Sequence, residues 1–156
     1  MIKMSDFSVS TDELRKHLQE IDPYQLEELI ADLWVAMGYD AEVTSRARDR
    51  GIDIEATKED PFQRKQLIQV KRYSDRNLVG SADIRLYRTL YDQQNNVDLV
   101  GIVTTSGFTD DALVLARDLD VRTMNGDMLS QYLIQELDIK VISEYLSLEG
   151  TKVSNE

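Results

Sequence analysis

Apolar residues recur along this chain with two periods. Leu26, Leu29, Ile30, Leu33 and Met37 fall three and four positions apart, which makes one continuous stripe on a helix. Asp22 supplies an N-cap, Pro23 suits the first helical position, and Gly38 marks the stop. Upstream, Ser10 and Glu13 have the spacing of a capping box, predicting a shorter helix to about Gln19 that carries the single histidine, His17, as a surface residue. The period then shortens to two. Residues 39–45, 51–57 and 66–73 read as strands, with a turn over 46–50 and a loop containing Pro61 between them. Beyond these, Ser81 to Gln94 predicts a helix with Ile84, Leu86, Tyr87, Leu90 and Tyr91 on its apolar side. Val97 to Thr105 predicts a buried strand, Thr109 to Leu119 a helix and Val121 to Met124 a short strand. Asn125-Gly126 turns into a last helix ending near Glu136, and a polar tail from about Ser147 is expected to fray. The order α-β-β-β-α-β-α-β places the chain in the α/β class. An antiparallel meander opens a mixed central sheet, a crossover follows, and helices flank it.

Composition narrows the possibilities. At 156 residues with 42% apolar content the chain is long enough for one domain with its own core. No apolar run reaches the length of a membrane span, and no secretory pattern opens the sequence. With no cysteine, disulfides, thiolate catalysis and zinc-thiolate sites are excluded. A cytoplasmic location without membrane attachment is the expectation.

The formal net charge of −11 looks unsuited to a polyanionic partner. Its distribution changes that picture. Between Arg46 and Arg88 stand eleven Lys and Arg against seven Asp and Glu, a local +4 that leaves −15 on the rest of the chain. The acidic remainder suggests a halophile, whose salty cytoplasm screens anionic surfaces over a few Å.

The candidate chemistry lies inside this basic zone. Asp53 sits between Ile52 and Ile54, and sixteen positions later Gln69-Val70-Lys71 follows Leu67-Ile68. Side chains two apart on a strand share a face, so Gln69 and Lys71 point the same way, and a hairpin pairing would set Asp53 beside them. A carboxylate facing an ammonium is equally what a cross-strand ion pair on a solvated face requires. The apolar flanks suggest strands buried on both sides, where a charge needs a partner or a task. A carboxylate, an amide oxygen and a fixed positive charge make a layout suited to a metal-dependent phosphodiesterase. Asp49 is read as tightening the turn before Gly51. Tyr73 and Tyr87 could stack on a base but read first as core, and Thr104-Thr105-Ser106-Gly107 reads as helix capping rather than an anion site.

Several motifs occur in a fixed order. They are Leu26-Glu27, Met37-Gly38-Tyr39, Asp49-Arg50-Gly51-Ile52-Asp53-Ile54, Ile68-Gln69-Val70-Lys71-Arg72-Tyr73, and Ile102-Val103-Thr104-Thr105-Ser106-Gly107-Phe108-Thr109 followed by Ala112 and Ala116. In this order they resemble the Mrr-like restriction endonuclease catalytic domain of the PD-(D/E)xK nuclease superfamily. The resemblance runs from about Asp22 to Leu133. It implies a restriction-endonuclease-like three-layer core over 22–136, with an N-terminal helical extension over 1–21 and a C-terminal extension over 137–156. It implies Glu27 as a helix-borne acid, Asp53 as the central metal ligand, Gln69 where many members carry an acid, and Lys71 as the catalytic lysine. Acids near a helix start are also favoured by the macrodipole, an alternative account of Glu27. Leu26 departs from a commoner Phe, and Gln for Glu is usual in this branch. The implied activity is Mg²⁺-dependent cleavage of DNA phosphodiesters, with Mn²⁺ able to substitute, by a homodimer acting in type IV restriction of foreign or modified DNA. Arg46, Arg48, Arg72 and Arg76 would be phosphate clamps. The alternatives are a Holliday-junction resolvase and a non-catalytic DNA-binding module on the same fold. A methyltransferase or helicase partner is compatible with either enzymatic role.

Overall fold

The computed structural model describes residues 10–44 and 52–146. Its elements are α1 (Thr11–Leu18), α2 (Pro23–Ala36), β1 (Asp40–Val43), β2 (Ile54–Lys58), β3 (Arg64–Lys71), α3 (Ser81–Arg88), α4 (Leu90–Gln93), β4 (Leu99–Thr104), α5 (Asp110–Leu119), β5 (Val121–Met124), α6 (Gly126–Glu136) and α7 (Ile139–Tyr145).

The strands lie side by side in chain order, β1-β2-β3-β4-β5. The first two pairings are antiparallel, and β3 with β4 and β4 with β5 are parallel. β3 is therefore the middle strand, where the meander meets the crossover half. Strand alternation divides its side chains between two cores. Ile68 and Val70 join Leu14, Leu18, Leu26, Leu29, Leu33, Leu129 and Ile142 beneath α1, α2, α6 and α7. Leu67 joins Ile84, Tyr87, Leu90, Ile102, Ala112 and Ala116 beneath α3, α4 and α5. Helix layer, sheet and helix layer give the three-layer core.

The helix starts follow the local chemistry. Ser10 and Glu13 form the reciprocal capping box, at 3.0 and 3.2 Å. Asp22 accepts from the N–H groups of Tyr24 and Gln25 ahead of Pro23. Gly38 adopts a φ of 103°, open to glycine at little cost, and ends α2. Gly126 is needed for a different reason: a Cβ there would run into the Thr105 carbonyl, against which the start of α6 is packed.

Three readings need correction. The helix expected over 81–94 is two, because Thr89 turns its hydroxyl back onto the Leu86 carbonyl (2.5 Å) and α3 closes there. The strand expected from residue 51 begins at Ile54, which leaves Asp53 just outside it. The C-terminal extension holds α7, capped by Asp138 through the N–H of Lys140 and packed through buried Ile142. The turn over 46–50, with Arg46, Arg48 and Asp49, and the tail from 147 lie outside the described residues.

Candidate active site

The site is built where β2 begins and β3 ends. At Asp53 the N–H donates to the Ile68 carbonyl (3.0 Å) and the carbonyl accepts from Thr44 N (2.9 Å), so its backbone is fixed from both sides. Its side chain turns to β3, where Oδ2 accepts the N–H of Val70 at 2.8 Å. The acid is thereby tied to the Gln69–Val70 peptide. This bond sets Asp53 beside the strand that carries Gln69 and Lys71.

Gln69 is buried, at 6% exposure. Its Nε2 donates weakly to the Val70 carbonyl at 3.4 Å, and its Oε1 is a buried oxygen without a hydrogen-bond partner. An unmet acceptor in a buried position carries a desolvation cost of about 1–3 kcal/mol, a cost that a bound cation or water donor would relieve. Lys71 lies half-buried on the same side as Gln69, two positions on. Its ammonium sits 5.0 Å from the centre of the Tyr87 ring and 5.9 Å from that of Tyr73. Burial works against its charge but is outweighed by polar contact with the Tyr87 hydroxyl and by the negative potential of the tyrosine oxygens and Asp83. Its pKa is therefore raised above the ordinary lysine value. Such a lysine carries its charge throughout the neutral range.

Glu27 is partly buried on α2, in the layer that covers the other face of the sheet. It lies beyond the first turn of α2, which contains no acid, so the macrodipole does not account for it. Among the described residues no group of three or more His, Cys, Asp or Glu converges. The donors at hand, the Asp53 carboxylate and the unpartnered Gln69 oxygen, are hard oxygens. They suit Mg²⁺ or Mn²⁺ provided that water and substrate phosphate complete the shell.

Of the proposed clamps, Arg76 is exposed. Arg72 is also exposed but donates through Nη1 to the Gln19 carbonyl at 2.6 Å, which ties the end of α1 to the end of β3. Gln19 in turn reaches Asp75 and the Thr105 carbonyl, each at 2.8 Å. The Thr104-Thr105-Ser106 run is buried but does not cap the next helix as expected, since Thr109 caps α5; its hydroxyls brace the strand end that carries Lys71. Thr104 Oγ1 donates to the Lys71 carbonyl (2.9 Å). Thr105 Oγ1 accepts from Tyr73 N (2.9 Å) and donates to Tyr73 O (2.7 Å), while Ser106 Oγ donates to Asn77 O (2.6 Å). Sequence reading did not find this lacing, nor the tyrosines around Lys71. The available signal was position: Tyr73 stands two residues beyond Lys71 on one face, and Asp83 and Tyr87 are one helical turn apart.

Residues 18–133 match the family model Mrr_cat, described as restriction endonuclease. The chain belongs to this restriction endonuclease family. Among curated proteins none matches the sequence. Among solved structures, the fold resembles that of MspJI restriction endonuclease in complex with a 27-mer oligonucleotide (TM-score 0.66, 16% identity, covering 89% of this chain and 38% of that one). It also resembles AspBHI, a DNA modification-dependent restriction endonuclease (TM-score 0.67, 17% identity, 97% and 42%). A third likeness is AF1548, a protein of unknown function (TM-score 0.60, 12% identity, 86% and 100%). This Mrr_cat chain spans less than half the length of MspJI and AspBHI. At these identities the likeness is one of fold.

Proposed function

We propose that this Mrr_cat chain is a DNA endonuclease that hydrolyses phosphodiesters with a divalent cation, Mg²⁺ or Mn²⁺, and serves restriction of foreign or modified DNA. The observation that carries the reading is the Asp53 carboxylate bonded to Val70 N on β3, the strand on which Val70 is flanked by Gln69, with its buried unpartnered oxygen, and Lys71, with its ammonium beside two tyrosine rings. The family supports nuclease chemistry. MspJI, which shares the fold, was solved on an oligonucleotide, and AspBHI is modification-dependent.

Asp53 and Gln69 would hold the cation. Once bound, the cation supplies Lewis acidity toward the scissile phosphate and the attacking water. Lys71 contributes a preorganised positive charge where negative charge develops on the phosphate. Its raised pKa favours this role over proton abstraction. Arg76, Arg46 and Arg48 would hold flanking phosphates, and Arg72 would do so by exchanging the Gln19 carbonyl for one. Two copies, one for each strand, would make a double-strand break, and the cytoplasm would be the place of action.

The test is plasmid cleavage in Mg²⁺ or Mn²⁺ from low to molar KCl, with methylated duplex, unmethylated duplex and a four-way junction compared side by side. Nicking or linearisation that is lost in Asp53→Ala and Lys71→Ala supports the enzyme. Symmetric cutting of the junction alone would make it a resolvase, and binding without cleavage a non-catalytic module. Variants that cut as well as wild type would refute the site.

A further inference from the structure

The lysine side chain is a compact charge on a flexible four-carbon stem, and an unrestrained ammonium visits many positions. At this site it is not left to do so. Tyr87 is 6% exposed and packed in the core beneath α3, so its ring cannot move away. Tyr73 is gripped through both backbone groups by the Thr105 hydroxyl, and Thr105 is itself fully buried. Two rings, one fixed in the core and one carried on an anchored stretch of backbone, therefore stand 5.0 and 5.9 Å from one ammonium, within the range at which a ring face attracts a cation. Asp83, one turn before Tyr87 on α3, adds negative potential from the same side.

The geometry points to Tyr87, assisted by Tyr73, as a positioning residue: it fixes where the Lys71 ammonium stands relative to Asp53 and Gln69, and so sets the rate of cleavage without contributing to DNA affinity. This rests on the reading of Lys71 as the site's cation. Neither tyrosine is asked to touch the phosphate. Their hydroxyls and rings act through the lysine, and an aliphatic side chain of similar bulk would fill the space without aiming the charge.

Three measurements on the full chain test this: single-turnover cleavage at saturating enzyme, DNA affinity in Ca²⁺, and ¹³C NMR of protein labelled at lysine. Tyr87→Phe, which keeps the ring and the packing, is expected to cut about tenfold more slowly, with DNA affinity and melting temperature close to wild type. Tyr87→Leu is expected to be slower still. In the spectrum, one lysine side-chain methylene shifted upfield by the rings should disappear in Lys71→Arg, persist in Tyr87→Phe and move to the ordinary position in Tyr87→Leu. Wild-type rates in Tyr87→Phe, or a slower rate matched by an equal loss of DNA affinity, would overturn the proposal. So would the absence of any upfield lysine signal in the wild type. If Tyr87→Leu does not fold, Tyr87→Phe and the wild-type spectrum still decide. Full activity in Lys71→Ala would instead overturn the nuclease reading, and the spectrum would then judge the cage by itself.

Discussion

Asp53 has two separable duties, and two substitutions pull them apart. Its Oδ2 accepts the partly buried N–H of Val70 at 2.8 Å, a bond made to a carboxylate and worth about 1.5–3 kcal/mol. Asp53→Ala removes the acceptor and leaves that N–H unpaired beside Gln69. Asp53→Asn keeps an oxygen able to accept it, so the neutral bond retains about 1 kcal/mol while the charge is lost. The alanine variant should melt roughly 4–10 °C below wild type in a domain of this size, and the asparagine variant about half as far below. Both should lose divalent-cation binding, measured by calorimetry with Mn²⁺, and both should lose plasmid cleavage. Equal stability of Asp53→Ala and wild type would show that the bond to Val70 carries no weight in the folded state. Retained cleavage by Asp53→Asn would show that the carboxylate is not a ligand, whatever its structural role.

Gln69→Glu places a second charge where the unpartnered oxygen lies and should tighten Mn²⁺ binding severalfold by calorimetry, whereas Gln69→Leu should weaken it while leaving stability equal or slightly higher. Thr105→Val removes both bonds to Tyr73 and should cost about 2–3 kcal/mol in urea unfolding, with a loss of cleavage rate beyond what the unfolded fraction explains. Tyr145→Phe deletes the 2.5 Å bond from the tyrosine hydroxyl to the Asp32 carboxylate, which with burial holds the Tyr145 pKa high. It should lower the unfolding free energy by about 1–2 kcal/mol and leave cleavage untouched. For Lys71, a folded pKa raised above the unfolded value means that the ammonium's stabilising contacts are present at neutral pH. They disappear only as pH climbs past the ordinary lysine range, so the stability difference from Lys71→Met should be flat from about pH 6 to 9.

Much of this was legible in the chain because its cues are local. The capping box at Ser10 and Glu13, the Asp22-Pro23 start and the Gly38 stop each act within one helical turn, and all three appear as read. The two-residue period through Leu67, Gln69 and Lys71 sufficed to place the amide and the ammonium on one side of β3. What escaped depends on single side-chain bonds, several of them to distant partners. The break at Thr89 turns on whether one hydroxyl bonds backward, and apolar periodicity is silent on that. The bond from Asp53 to Val70 needs a side chain turning to β3 from just ahead of β2. The grip of Thr105 on Tyr73 joins residues 32 apart in sequence, and the tie from Arg72 to Gln19 joins residues 53 apart.

The central place of β3 makes the site all or nothing. Every other side chain on that strand faces a different core, so displacing it by a single residue against β2 would carry Val70 toward Asp53 and push Gln69 and Lys71 into the apolar layer under α2 and α6. Such a misthreaded sheet would bury a charge without compensation, and it should not persist. Catalytic competence and correct strand alignment therefore stand or fall together: the loop over 59–63 is the place where length can vary, whereas one inserted residue within 66–71 should abolish both at once.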